Sequence, residues 1–234
     1  MSTNERILSP FTLPNGTELK NRLLMAPMTT CTGYYDGTVT SELVEYYRAR
    51  SGSIGTIIVE CCFVDDLGLA FPGAIGIDND EKIAGLAKIA EAIKSKGSKA
   101  LLQIYHGGRM VDPKLIGGRT PVGPSAVAAP RDGAATPVAL TGEEVEGMIG
   151  KFGEAVRRAI QAGFDGVEIH GANTYLIQQF YSPNSNQRDD EWGGSRDNRA
   201  KFPLAVLDST HKMVRQYADD AFIIGYRFSP EELE

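Results

Sequence analysis

The chain has 234 residues, 42% of them hydrophobic and 23% charged, so it can bury a sizeable core. Its formal net charge is −6 with scattered Lys and Arg, and its three cysteines form neither a CxxC pair nor a disulfide framework. Because no apolar signal segment or membrane-length apolar run occurs, we expect a cytoplasmic protein with small-molecule partners and without nucleic-acid or membrane partners.

Apolar runs of strand length alternate along the chain with segments of helical period. In chain order, the sequence predicts a strand at 22–27, a helix at 41–50, a strand at 55–60, a helix at 79–97, a strand at 99–106, a helix at 141–163, a strand at 164–170, a helix at 198–218 and a strand at 221–228. This alternation is typical of βα units around a parallel sheet.

Local signals mark where the predicted helices begin and end. The candidate N-caps are Thr40 or Ser41, Asp78 or Asn79, and Thr141 in a capping box with Glu144. Gly97 suits the left-handed position after the second helix. Pro203 is compatible with the last helix only if it lies in the first turn.

Five strands and four helices leave two fold classes open. A (β/α)₈ TIM barrel needs eight units and typically about 250 residues, and at about 45 residues per unit this chain cannot close one. A flavodoxin-like, doubly wound sheet would use the same elements. The Gly- and Pro-rich segment 107–140 interrupts the rhythm and is long enough to predict a functional loop.

The carboxyl ends of parallel strands are where α/β proteins bind ligands. Here they deliver the segments Ala26–Thr30, Glu60–Cys62, Gln103–Arg109, His170–Tyr175 and Tyr226–Pro230. No strand ends in lysine, and neither HExxH nor GxGxxG is present. These absences count against a Schiff-base aldolase, a metal-dependent hydrolase and a Rossmann nucleotide site.

The groups that remain at the strand ends are mostly neutral hydrogen-bonding groups, which suit a planar heteroaromatic ring such as a flavin. Gln103 can pair with the pyrimidine edge of that ring, and Thr29 can donate towards O4. Arg227 can stabilise the negative charge that reduction places near N1 and C2=O.

His170, Asn173 and Tyr175 suggest the second half of the chemistry. If the fourth strand runs into a helical turn, His170 and Asn173 project the same way and can hold one carbonyl oxygen. Tyr175, with a reference pKa of about 10, is then a plausible proton donor. The trio predicts reduction of an activated C=C bond by hydride from reduced flavin, with the proton supplied by Tyr175.

Five segments, in order and spacing, resemble the Old Yellow Enzyme family of FMN-dependent ene-reductases and NAD(P)H:flavin oxidoreductases. They are "NRLLMAPMTT", "QIYHGGR", "GFDGVEIHGANTYLIQQFYSP", "NQRDDEWGGSRDNRAKF" and "GYRFSP". The resemblance implies a (β/α)₈ barrel with non-covalent FMN, NADH or NADPH as reductant, carbonyl contacts from His170 and Asn173, and a proton from Tyr175. The flavin contacts that it implies are Ala26, Pro27, Met28, Thr29, Cys61, Gln103 and Arg227.

The departure from the family is at the C-terminus, because three further βα units of the family have no counterpart here. We therefore expect residues 1–234 to form one partial barrel domain, a fragment that stops after about five units. Exposed sheet edges are expected, and a homo-oligomer is possible. The alternatives are the N-terminal barrel of an iron–sulfur flavoprotein of the dienoyl reductase type, a catalytically silent remnant, or another barrel enzyme such as a lyase.

The polar segment "DDEWGGSRDNR" is expected to lock its own loop. We expect positive φ at Gly193 and Gly194, and an ion pair from Arg199 to Asp189 or Asp190. His106 and Arg109 are expected to brace the long loop that follows the third strand.

Overall fold

A computed structural model describes residues 3–229, and a parallel sheet lies at its centre. In chain order the elements are α1 (Thr3–Leu8), β1 (Phe11–Thr12), β2 (Glu18–Leu19), β3 (Leu24–Met25), α2 (Ser41–Arg50), β4 (Thr56–Phe63), α3 (Ile83–Lys94), β5 (Lys99–Tyr105), β6 (Val122–Gly123), β7 (Val138–Ala139), α4 (Gly142–Gln161), β8 (Gly166–Gly171), α5 (Leu176–Tyr181), α6 (Arg196–Tyr217) and β9 (Ile223–Phe228). Pro230 of the last strand-end segment lies outside the described residues.

The strand order of the main sheet decides between the two fold classes. The order is β3-β4-β5-β8-β9, and each strand is parallel to its neighbour. A flavodoxin-like sheet reverses its strand order at a switch point, whereas consecutive order is that of a (β/α)₈ barrel. The prediction of a (β/α)₈-type barrel with about five units in this chain is therefore confirmed: the described sheet is a half-barrel, with β3 and β9 at its edges.

The outward face of the sheet forms the main hydrophobic core. Its buried strand residues are Ile57, Val59, Leu102, Ile104, Val167 and Ile169. The helices α3 and α4 cover them with residues such as Leu86, Ile93 and Phe152. Because the inward face is largely buried as well, the strands read as continuous apolar runs.

The predicted helix caps are present. The Thr40 hydroxyl accepts the Leu43 N–H at 3.2 Å, and Thr141 with Glu144 forms the capping box. Asn79 caps a single 3₁₀ turn that leads into α3, and Gly97 has the expected positive φ of 78° after that helix. Local side-chain chemistry therefore fixes the N-terminal ends of α2 and α4, whereas α3 itself begins without a side-chain cap.

The prediction for Pro203 is wrong. The last helix, α6, begins at Arg196 because the Ser195 hydroxyl caps it by accepting the Asn198 N–H at 3.1 Å. Pro203 therefore lies inside the helix rather than in its first turn. The proline costs the helix one backbone hydrogen bond. The residue before it, Phe202, is fully buried and stacks on Phe180 with a ring-centroid distance of 4.1 Å, which stabilises this part of the helix.

Six elements were not predicted: α1, the antiparallel pair β1 and β2, the short pair β6 and β7, and α5. The β1-β2 hairpin binds the loop before β9, since the Thr17 hydroxyl donates to the Ala221 carbonyl at 2.9 Å and Asn15 Nδ2 donates to the Asp220 carbonyl at 3.2 Å. These contacts connect the first and last parts of the described chain.

Across residues 3–229, no helix has both the length and the apolar character that a membrane crossing requires.

Truncation of Phe152, which lies fully buried on α4, tests the main core. We expect Phe152→Ala to lower the free energy of unfolding by about 3–5 kcal/mol, because the buried side chain is lost and the surrounding side chains fill the cavity only in part. The exposed α4 residue Glu146 is the control, and Glu146→Ala should change the free energy of unfolding by less than about 0.5 kcal/mol. Urea unfolding measures both, and equal effects would contradict the assigned core.

Candidate functional site

A β-bulge shapes the inner face of the sheet, which is defined here by Cys61, Gln103, Tyr105, Glu168 and His170. The register of β4 against β5 jumps from Val59–Leu102 to Cys62–Ile104, so two residues of β4 oppose Gln103. Both Val59 and Cys62 therefore pack in the outer core, while Cys61 joins Tyr105 in a separate inner cluster. Such bulges re-aim side chains beside binding sites.

A carboxylate connects two of the predicted flavin contacts. Gln103 Nε2 donates to Glu168 Oε1 at 2.7 Å, and Arg227 Nη1 lies 3.7 Å from the same oxygen. Gln103 is buried, whereas the Arg227 side chain is 40% exposed. Burial raises the pKa of Glu168, against the opposing effects of Gln103 and Arg227.

Glu168 itself was not predicted as a site residue. The available signal was a carboxylate two residues before His170 within an otherwise apolar strand, which places both side chains on the same face. The sequence alone did not show that Gln103 and Arg227 would both lie next to it.

Three aromatic rings surround the carboxyl end of β8. The Tyr175 ring packs edge-on against His170 and Tyr105, with centroid distances of 5.0 and 5.3 Å. Burial is the largest cause that lowers the pKa of His170 to about 4, and the Arg227 charge adds to it. His170 is therefore neutral at pH 7, and its buried Nδ1 has no hydrogen-bond partner among the described residues.

Tyr175 is half-buried at the position that precedes α5. Burial raises its pKa well above the ordinary value for a phenol, with a further contribution from Cys61. The hydroxyl is therefore protonated at neutral pH, as a proton donor must be.

The expected helical turn from His170 to Asn173 is wrong. Asn173 and Thr174 have φ values of 56° and 62°, and α5 begins only at Leu176. A left-handed conformation is tolerable for Asn but strained for a β-branched residue such as Thr. The helical spacing from which the common direction of the two side chains was expected is therefore absent.

Two glutamines of α5 hold the strained turn. Gln178 Oε1 accepts the Thr174 N–H at 2.7 Å, and Gln179 Nε2 donates to the Thr174 carbonyl at 2.6 Å. Asn173 is exposed, and its N–H donates to the Ser229 hydroxyl at 3.3 Å, which links the turn to the end of β9. Sequence reasoning missed both glutamines because only the folded turn brings them to Thr174.

The loop after β3 is attached to the end of β4. The Thr29 hydroxyl lies 3.3 Å from Cys61 Sγ, and the Thr30 N–H donates to Glu60 Oε2 at 2.8 Å. Burial raises the pKa of Cys61 to about 12, so the group that faces Thr29 is a thiol. The other three predicted contacts of this loop are Ala26, Pro27 and Met28; Ala26 and Met28 are exposed and Pro27 is partly exposed.

The loop after β5 is braced as predicted. His106 Nδ1 accepts the Gly108 N–H at 3.0 Å, and the buried Arg109 donates from Nη1 to the Ala128 carbonyl at 3.0 Å. Gln179 Oε1 accepts the Arg109 N–H at 3.0 Å, so the same glutamine supports both this loop and the turn after β8.

The predicted partner of Arg199 is wrong. Asp190 pairs with Arg188, whose Nη2 lies 2.5 Å from Oδ2, while Arg199 donates to the Tyr181 and Gly194 carbonyls. Arg188 is two residues from Asp190, and it also donates to the Leu140 carbonyl, so it fixes this loop against the preceding one.

One of the two loop glycines also differs from expectation. Gly194 has the expected positive φ of 75°, but Gly193 does not. Gly193 is needed instead because a Cβ there would overlap the Arg188 side chain.

The donor set of the inner face fits an uncharged, planar heteroaromatic ring. The Gln103 carbonyl, the Thr29 hydroxyl and the buried His170 imidazole are neutral, and the nearby cation Arg227 has a carboxylate beside it. Tyr105 and Tyr175 supply aromatic surface. Residues 3–229 contain no cluster of three or more His, Cys, Asp or Glu side chains arranged to hold a metal.

The lowered pKa of His170 predicts how stability depends on pH. The folded protein takes up this proton near pH 4, whereas an unfolded chain takes it up near 6.5, so the stabilisation is complete above 6.5 and is lost as pH falls towards 4. We expect urea unfolding to show a smaller loss of stability between pH 7 and pH 5 for His170→Asn than for the parent. His211→Asn, on the exposed face of α6, is the control, and an unchanged pH dependence in His170→Asn would contradict a buried neutral imidazole.

Comparison with known proteins places this geometry in a family. The profile of the NADH:flavin oxidoreductase / NADH oxidase family matches residues 6–234. The chain is 89% identical over 234 residues to an NADH:fumarate oxidoreductase of Klebsiella pneumoniae (strain 342), a match that covers 100% of this chain and 25% of that protein. It is 58% identical over 229 residues to an NADH:acrylate oxidoreductase of Vibrio harveyi, covering 98% of this chain and 23% of that protein.

A solved structure agrees with the sequence comparison. The old yellow enzyme homologue from Zymomonas mobilis superposes with a TM-score of 0.86 at 32% identity, covering 96% of this chain and 63% of that one. The chain thus spans about a quarter of the two curated relatives, and the resemblance to the Old Yellow Enzyme family is confirmed. With its family profile matched from residue 6 onwards, this chain belongs to the NADH:flavin oxidoreductase / NADH oxidase family.

Proposed function

We propose that the chain carries the FMN site of an NAD(P)H-dependent oxidoreductase that reduces a C=C bond conjugated to a carbonyl or carboxyl group. The observation that carries the proposal is the pairing of a neutral His170, with its buried and unpartnered Nδ1, and a protonated Tyr175 whose ring centroid lies 5.0 Å away. One group is suited to hold an oxygen and the other to release a proton, and both lie at the end of the same strand.

Three side chains, those of Gln103, Arg227 and Thr29, would hold the cofactor and orient it. Gln103 offers its carbonyl to a ring N–H, Arg227 faces developing negative charge, and Thr29 is set by its contact with Cys61. Ala26, Pro27 and Met28, which precede Thr29 on the loop after β3, would supply the remaining cofactor contacts. FMN, when bound non-covalently, supplies hydride transfer between the nicotinamide and the alkene.

The substrate side of the site consists of His170, Asn173 and Tyr175. His170 and Asn173 would hold the carbonyl oxygen and withdraw density from the conjugated bond, which makes its β-carbon electrophilic. Tyr175 would then deliver its hydroxyl proton to the α-carbon. The glutamine-held turn at Thr174 sets the separation of the three groups.

The substrate class receives support from the two similar proteins named for fumarate and acrylate. Both compounds contain a C=C bond conjugated to a carboxyl group, which a carbonyl clamp also activates. The chain spans only 25% and 23% of those proteins, which favours a second candidate function: this barrel accepts hydride from NADH while the alkene is reduced elsewhere in a longer protein.

Separate measurement of the two half-reactions tests the proposal. In anaerobic stopped-flow experiments on the flavin-loaded protein, Tyr175→Phe should slow reoxidation by acrylate or 2-cyclohexenone by about 10²–10⁴-fold, because the phenol supplies a proton only in that step. Reduction by NADH should change by less than about twofold. Tyr181→Phe, on the exposed side of α5, is the matched control.

Two outcomes would contradict parts of this proposal. Equal losses in both half-reactions would remove the proton-donor role from Tyr175. If the unmodified protein accepts hydride from NADH but neither alkene reoxidises it, the site is an electron-entry site and direct alkene reduction is excluded.

A further inference from the structure

Glu168 occupies a position in the sheet from which one carboxylate reaches two neighbouring strands. In the register of the sheet, Glu168 of β8 lies beside Gln103 of β5 and Gly225 of β9. Gly225 has no side chain, so Arg227, two residues further on the same face, is the first large side chain of β9 that Glu168 meets. The Glu168 side chain is only 11% exposed.

The contact with Glu168 determines which end of the Gln103 amide is available to a ligand. A glutamine amide has one acceptor oxygen and one donor nitrogen. Because Nε2 donates to Glu168 at 2.7 Å, Oε1 of Gln103 is left as the acceptor for a ligand N–H. Without the carboxylate, the amide could rotate by 180° and present its NH₂ instead.

The contact with Arg227 changes the electrostatic field at the site. The carboxylate oxygen lies 3.7 Å from the guanidinium, and the low exposure of Glu168 limits the screening of its charge by water. A ligand near Arg227 therefore experiences a cation that is partly offset by an anion. Both Gln103 and Arg227 favour the ionised form of Glu168, while burial opposes it.

We propose that Glu168 is a positioning residue for the flavin: it fixes the orientation of the Gln103 amide and, as the counter-charge of Arg227, lowers the reduction potential of the bound cofactor. The inference rests on the proposed function, since it requires FMN at this face. Its physical basis is that reduction adds negative charge near N1 and C2=O of the ring, and a nearby carboxylate makes that charge less favourable. A lower potential makes the reduced cofactor a better hydride donor.

Two variants separate the positioning of Gln103 from the counter-charge of Arg227: Glu168→Gln, which is isosteric and uncharged, and Glu168→Asp, which is charged and shorter. Glu168→Gln removes the charge but keeps an oxygen that can accept from Gln103, so the midpoint potential of the flavin should shift to a more positive value while the Kd for oxidised FMN changes by less than about threefold. Glu168→Asp keeps the charge but shortens the reach to Gln103, so the Kd should weaken by about tenfold while the potential stays closer to that of the parent.

Equilibration with a reference dye measures the potential of the FMN-loaded protein, and fluorescence titration of the FMN-free protein with FMN measures the Kd. Glu146→Gln is the charge-matched control, because this exposed residue lies on α4 in the outer layer, and it should leave both values unchanged. The Glu168→Gln shift should also become smaller in an Arg227→Gln background, since the counter-charge acts on that cation.

The results distinguish this inference from the function on which it rests. If the parent protein binds no FMN, the proposed function fails and the role of Glu168 fails with it. If the parent binds FMN and Glu168→Gln leaves the potential unchanged or lowers it, only the role of Glu168 is overturned. A shift of the midpoint potential that is equal in Glu168→Asp and Glu168→Gln would likewise overturn the counter-charge role, because only Glu168→Gln removes the charge.

Discussion

Packing of the outward side chains of β4, β5 and β8 against α3 and α4 fixes the register in which these strands lie. The inward side chains carry the chemistry, but most of them take their positions from this register. Gln103 lies beside Glu168 because Leu102 and Val167, one residue earlier on each strand, are buried side by side in the core. Burial of apolar area outside the sheet therefore sets distances between polar groups inside it.

The turn between β8 and α5 is where backbone strain and function meet. Thr174 adopts a left-handed conformation that is unfavourable for a β-branched residue. The paired side chains of Gln178 and Gln179 stabilise it, and Gln179 also holds the loop after β5 through Arg109. Two loops at the mouth of the site are thus fixed by the same short helix.

Burial keeps the site close to electrical neutrality. It holds His170 as an imidazole, Cys61 as a thiol and Tyr175 as a phenol at neutral pH, because the charged form of each would lose its hydration. The charge of Arg227 has Glu168 within 3.7 Å. Such an environment is compatible with a planar ring whose charge changes during turnover, since small differences in the local field then alter the stability of its reduced form.

The sequence by itself determined the strands, the main helices and their caps, because these depend on residues close together in the chain, as Thr141 and Glu144 show. It also brought the predicted site residues to the ends of parallel strands, since hydrophobic period and strand polarity are local properties. The bulge at Cys61, the two partners of Glu168, the pairing of Arg188 rather than Arg199 with Asp190, and the turn at Asn173 were decided by the tertiary structure. The bulge and the partners of Glu168 arise from contacts between segments far apart in sequence, whose geometry exists only after the sheet has set its register. The other two features join residues close in sequence, but the period and polarity of the sequence do not specify their backbone conformation.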